Sequence, residues 1–62
     1  FDINDVDEHG NSLLHVAAQN GNLRIAQLLV RKGAYVDHQN HVGQTALHYA
    51  LAYDYMELAE WL

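Results

Sequence analysis

The phrase Ser12-Leu13-Leu14-His15 returns as Thr45-Ala46-Leu47-His48, with Thr45 falling 33 positions after Ser12. A fixed period of that size marks stacked supersecondary units, each too small to bury its own apolar faces. Superposing residues 1–29 on 34–62 aligns Gly10 with Gly43, Leu14 with Leu47, His15 with His48 and Ala17 with Ala50. It also aligns Ala26 with Ala59 and Leu29 with Leu62. Conservative matches lie between them: Ile3 with Val36, Asn4 with Asp37, Asp7 with Asn40, Leu23 with Met56, and Ile25 with Leu58. The chain is therefore read as two copies of one unit.

Local signals agree within each copy. Ser12 and Thr45 are helix N-cap residues, followed by the helix-forming stretches LLHVAAQN and ALHYALAY. His15 and His48 then fall at N3, where a capping-box side chain reaches back to the cap, so all four residues are assigned structural capping roles. Gly21 is placed to end the first helix in a left-handed conformation. A second helix is expected from Leu23 to Lys32, stopping at Gly33, with Arg24, Gln27 and Arg31 as one exposed stripe. Its remaining residues are apolar over more than one face, which suits an element sandwiched between neighbours. The stretch GAYVDHQNHVGQ lacks helical periodicity, is rich in turn formers, and reads as an extended finger.

These residues resemble the ankyrin repeat, whose period is about 33 residues and whose T-P-L-H-x-A signature appears as Ser12–Ala17 and Thr45–Ala50. Residues 20–37 are similar to the family's second helix and Gly-Ala finger. The resemblance implies an all-α repeat solenoid of helix-turn-helix units joined by extended β-hairpin-like fingers. On this frame residues 1–6 end a preceding finger, 7–39 make one complete repeat, and 40–62 make a second repeat truncated within its second helix. The chain is thus expected to be part of a longer array.

Two departures carry physical consequences. The signature proline is Leu13 in one copy and Ala46 in the other, which forgoes a pre-set helical φ. Asp54 stands where the first copy has Gly21, so distortion is expected at that helix end.

Composition narrows the function classes. The chain of 62 residues is half hydrophobic and carries a net charge of −5 from eight acidic and three basic residues. Arg24, Arg31 and Lys32 make no cationic stripe, so nucleic acid is not expected as a partner. The acidic group Asp2, Asp5, Asp7 and Glu8 reads either as a solvated tip or as an attractor for a basic partner. With no cysteine, disulfides and thiolate metal sites are excluded, which fits a reducing cytoplasmic or nuclear setting. No apolar run reaches membrane-spanning length, so no membrane insertion is expected.

Sites of chemistry are sparse. His38 and His41, with Asp37 adjacent, supply part of a zinc shell but lack a third ligand at suitable spacing. Ser12 and His15 already have capping roles and lack a third residue to orient the imidazole. No phosphate-binding glycine loop is present. Neither catalysis, a metal nor a cofactor is expected of this segment. Tyr49 and Trp61, aligned with apolar residues, are assigned to repeat packing. Tyr53 and Tyr55, aligned with Asn20 and Asn22, are expected to be more exposed. Arg24 is expected to pair with Glu57 if residues one period apart stack.

The family resemblance implies a non-catalytic module that docks a partner protein on the concave face of fingers and first helices. Its contact positions carry over to Val6, Glu8, His9, Asn11, Gln19 and Asn20 in the first copy. In the second they are Gln39, His41, Val42, Gln44, Ala52 and Tyr53. On this register His9 faces Val42 and Glu8 faces His41. Two alternatives stand beside this reading: spacer repeats that only join their neighbours, and a regulatory segment of a larger enzyme or channel.

Overall fold

The computed structural model describes residues 2–62, in four helices: α1 (Leu13–Gln19), α2 (Leu23–Arg31), α3 (Ala46–Ala52) and α4 (Met56–Trp61). Among the described residues the extended pairing is confined to one isolated antiparallel bridge, Val6 with Ser12. The architecture is the all-α repeat solenoid expected, with fingers that are chains of turns rather than strands. Each finger tip is closed by backbone bonds of one pattern. Asp7 donates to Asn11 and Gly10 to Asp7 in the first, Asn40 to Gln44 and Gly43 to Asn40 in the second, all at 2.9–3.0 Å.

Helix entrances and exits follow the local chemistry. Ser12 has extended backbone (φ −85°, ψ 173°), and so has Thr45 (φ −95°, ψ 172°). The amide of Ser12 donates to Nδ1 of His15 at 3.2 Å, and that of Thr45 to Nδ1 of His48 at 3.0 Å. At the exit of α1, Gly21 donates to Ala18 and Asn22 to Ala17, the paired bonds of a left-handed helix stop. The exit of α3 repeats them, from Asp54 to Leu51 and from Tyr55 to Ala50. The distortion expected at this helix end is absent. Asp54 adopts φ 62° against 65° at Gly21, so the residue takes up the strain and the backbone path is kept.

Packing runs along the stack. The two helices of each copy pack together, and α1 packs on α3 across the repeat boundary. The core consists of Leu14, Ala17, Ala18, Ala26, Ala46, Ala50, Leu58 and Ala59. Alanine dominates because small side chains let short helices approach closely. Burial of Leu14 and Leu58 contributes about 1.5–3 kcal/mol each. Aligned residues differ where the stack stops covering them: Leu14 is 1% exposed under the second copy, whereas Leu47 is 38% exposed.

Two expectations need correction. Arg24 and Glu57 form no ion pair; among the described residues the contact of that kind is His9 with Glu8, at 3.6 Å. Both residues are exposed, and a solvated pair gains too little to hold two long side chains in place. Trp61 is half-exposed rather than buried in packing, since no described element lies over that face of α4. Tyr55 is exposed as expected, at 37%, with one face of its ring against Gly21, where an added Cβ would come within 2.7 Å of it. Among the described residues no helix is long and apolar enough to cross a membrane.

Candidate functional site

The two finger tips are joined side by side. The His41 amide donates to the His9 carbonyl at 3.0 Å, and Nε2 of His38 lies 3.0 Å from the Gly10 carbonyl. This shifts the finger register by one residue from the alignment, so His41 meets His9 rather than Glu8. The shift depends on Gly10. Its φ is +79°, and a Cβ there would lie 2.5 Å from the His41 ring and 2.9 Å from the His41 amide nitrogen. A side chain at position 10 would therefore push the fingers apart.

Below the tips the anchor is His15, which is 1% exposed. Its Nδ1 accepts from the Ser12 amide and lies 2.9 Å from the Ser12 hydroxyl, so Nε2 carries the proton and donates to the Gln44 carbonyl at 2.8 Å. One imidazole thus caps its own helix and holds the next finger. Burial pushes its pKa below the ordinary 6.5, against the upward pull of the Gln44 carbonyl; His38 adds to the depression and Asp7 opposes it. His38 and Tyr49 meet its ring edge-on, at centroid distances of 5.7 and 5.5 Å.

Asn40, with 7% exposure, organises the second finger. Its Oδ1 accepts the amides of Val42 at 3.1 Å and Gln44 at 2.9 Å. Its Nδ2 donates to Oδ1 of Asn11 and to the Tyr49 hydroxyl, both at 2.9 Å, with Oε1 of Gln44 a longer third contact at 3.4 Å. Tyr49 closes the triangle by donating to Oδ1 of Asn11 at 3.0 Å. In the first finger Asp7 does the turn-holding half of this work, accepting the amides of His9 and Asn11 at 2.8 and 2.9 Å. The Asn11 amide is the main reason its carboxyl sits below the ordinary range.

The positions assigned to partner contact separate into groups. His9, Asn11, His41, Val42 and Gln44 line one cleft between the fingers, of about 360 Å³, floored by Asn40 and Tyr49. Val42 is 77% exposed at its edge. Glu8 is exposed beside it, bonded to His9. Asn20 instead lines an apolar groove between α1 and α2 with Leu13, Val16 and Ile25, and Val6 lines a third hollow with Asp5 and Val16. Gln19, Gln39, Ala52 and Tyr53 are exposed and line none of these hollows. The sequence reading missed Asn40 and Tyr49 as parts of the cleft. The signal for Asn40 was its alignment with Asp7 in a tip closed by a glycine three residues on. Nothing in the sequence marked the Tyr49 hydroxyl. Among the described residues no cluster of three or more His, Cys, Asp or Glu is placed to hold a metal ion.

Comparison with known proteins agrees with this geometry. A family model described as ankyrin repeats (3 copies) matches residues 1–62. The chain is 48% identical over 48 residues to human transient receptor potential cation channel subfamily A member 1, covering 77% of the chain and 4% of that protein. It is 41% identical over 61 residues to the ankyrin repeat protein FPV014 of fowlpox virus (strain NVSL), covering 98% of the chain and 14% of that protein. To the E3 ubiquitin-protein ligase XBAT33 of Arabidopsis thaliana it is 44% identical over 52 residues, or 84% of the chain and 10% of that protein. It thus spans only a small part of each of these relatives. Ankyrin repeats are a non-catalytic fold used for protein–protein interaction, inside proteins as different as a channel and a ligase. By its period, its capped helices and its matched family model, this chain belongs to the ankyrin repeat family.

Proposed function

We propose that this segment docks a partner protein on the face formed by its two finger tips and the adjoining surface of α1 and α3. The observation that carries this reading is the cleft between the fingers. It is lined by His9, Asn11, His41, Val42 and Gln44, and its paired positions do not repeat: Asn11 aligns with Gln44 and His9 with Val42. Residues that serve only stacking are repeated or conservatively matched, whereas these differ while the backbone beneath them is the same. A rigid floor with varied side chains at its rim is the arrangement that specific binding requires. The test is capture by the parent protein, comparing wild type with a Glu8→Ala, His41→Ala, Tyr53→Ala triple variant whose circular dichroism is unchanged. Selective loss of one captured protein supports docking on this face; retention of every one of them overturns it.

A second reading, that these repeats also serve as spacers, is favoured by one observation. His15 donates through Nε2 to the next finger, while the aligned His48 is exposed and its Nε2 has no partner among the described residues. Leu51 and Trp61 are likewise 52% and 40% exposed. That face is suited to a further repeat, which would supply a carbonyl to His48 as Gln44 does to His15.

A further inference from the structure

The hydrogen-bond network under the finger cleft sets which way its amides face. Oδ1 of Asn40 is held by two backbone amides, so its Nδ2 must point across the repeat boundary. That Nδ2 and the Tyr49 hydroxyl both donate to the same atom of Asn11, which must therefore be its oxygen. The NH₂ group of Asn11 is left with both hydrogens uncommitted among the described residues. The Gln44 side chain lies beside it, 3.4 Å from Nδ2 of Asn40, whose two hydrogens are already spent, so its amide is free to turn either way toward the cleft. His9 and His41 stand on the same cleft, each ring carrying at least one N–H. The cleft therefore presents a fixed NH₂ donor at Asn11, whose oxygen is spent on the floor, beside the imidazole N–H groups of His9 and His41.

We propose that the cleft recognises a side-chain carboxylate, from one Asp or Glu of an extended partner segment, through the amides of Asn11 and Gln44 and the imidazoles of His9 and His41. This rests on the docking reading above and specifies the chemistry of its partner. A carboxylate offers acceptors only, matching donors of which His9 alone has a charged neighbour, Glu8 at 3.6 Å. The central donor, the NH₂ of Asn11, is held by bonds made before the partner arrives, so little ordering is lost at that point on binding. The net charge of −5 disfavours a polyacidic partner. The segment therefore carries a single carboxylate, with a basic residue beside it to meet Glu8 and an apolar one to cover Val42.

The test is selection of random peptides, acetylated and amidated at their ends, against this chain. Enriched peptides are expected to share one Asp or Glu, and its conversion to the amide is expected to weaken binding at least about tenfold. Asn11→Asp keeps the acceptor for Asn40 and Tyr49 and replaces only the outward NH₂ by an anionic oxygen. It is expected to lose binding to the same degree, and to regain it for a peptide with Lys in place of the acid. Should that variant fold poorly, the side-chain NH₂ resonances of Asn11 and Gln44 in the wild-type chain are expected to shift when the selected peptide is added. Peptides that bind without a carboxylate yet shift the His41 and Val42 resonances would overturn the carboxylate while leaving docking on this face intact. Shifts confined to the exposed sides of α2 and α4 would overturn both.

Discussion

The Nε2 atom of His15 lies 2.8 Å from the carbonyl oxygen of Gln44, and its Nδ1 accepts from the amide of Ser12. Only the neutral Nε2–H ring can do both. A proton added at Nδ1 would turn the cap acceptor into a donor facing a donor. The unfolded chain takes up that proton near pH 6.5, while the folded chain resists it until lower pH. The unfolded state then binds more protons, so this contribution is complete above about pH 6.5 and is lost as the pH falls through the folded value. Chemical denaturation between pH 8 and pH 5 is expected to show falling stability. In His15→Gln, which can still donate to Gln44, the part of the slope owed to residue 15 is expected to vanish. An unchanged slope would show that residue 15 is not its source.

Asp54 holds φ 62° at a helix stop where the aligned residue is Gly21. A non-glycine residue there costs about 1–2 kcal/mol, less for Asp than for most because its short polar side chain tolerates the left-handed region. Asp54→Gly removes that strain but adds unfolded-chain freedom, so a net gain of about 0.5–1 kcal/mol is expected. In a chain this small that corresponds to a rise of about 2–8 °C in melting temperature. Asp54→Ala is expected to melt lower than wild type, and the opposite order of the two variants would refute the strain.

Leu13 occupies the first position of α1, where its amide has no partner within the helix. The preceding Ser12 has φ −85° and ψ 173°, a conformation a following proline accepts. Leu13→Pro is expected to stabilise the chain by about 0.4–1 kcal/mol through reduced unfolded-state entropy. Because Leu13 is already 37% exposed, little packing is forfeited. Urea midpoints of the two proteins give the answer directly.

Legibility from sequence followed how local each feature is. The helix starts at Ser12 and Thr45 and the stop at Gly21 were readable because their cause lies within four residues. The 33-residue period located α1 against α3, since stacking is what a repeat of that length requires. What escaped depends on side chains meeting across the boundary. His41 pairs with His9 because the bare Gly10 admits it, a one-residue slip that no alignment contains. Asn40 and Tyr49 meet Asn11 only once both fingers are folded. Arg24 and Glu57 failed to pair for the converse reason: adjacency in register does not bind two solvated side chains.

Asn40 ties the second finger to the first helix-loop unit through one amide, and its removal is the sharpest test of how the cleft is held. Asn40→Ala would strip the Val42 and Gln44 amides of an acceptor and take one donor each from Oδ1 of Asn11 and the Tyr49 hydroxyl. Where such groups stay out of water the cost is about 1–3 kcal/mol. Asp7→Ala removes only the turn-holding half of the same arrangement, at an exposed site, and is expected to cost less. Hydrogen exchange should separate them further. In Asn40→Ala the His41 amide, bonded to His9 across the fingers, is expected to lose protection before α1 and α3 unfold. If the two variants cost the same and His41 keeps its protection, the bond from Asn40 to Asn11 is not what joins the fingers.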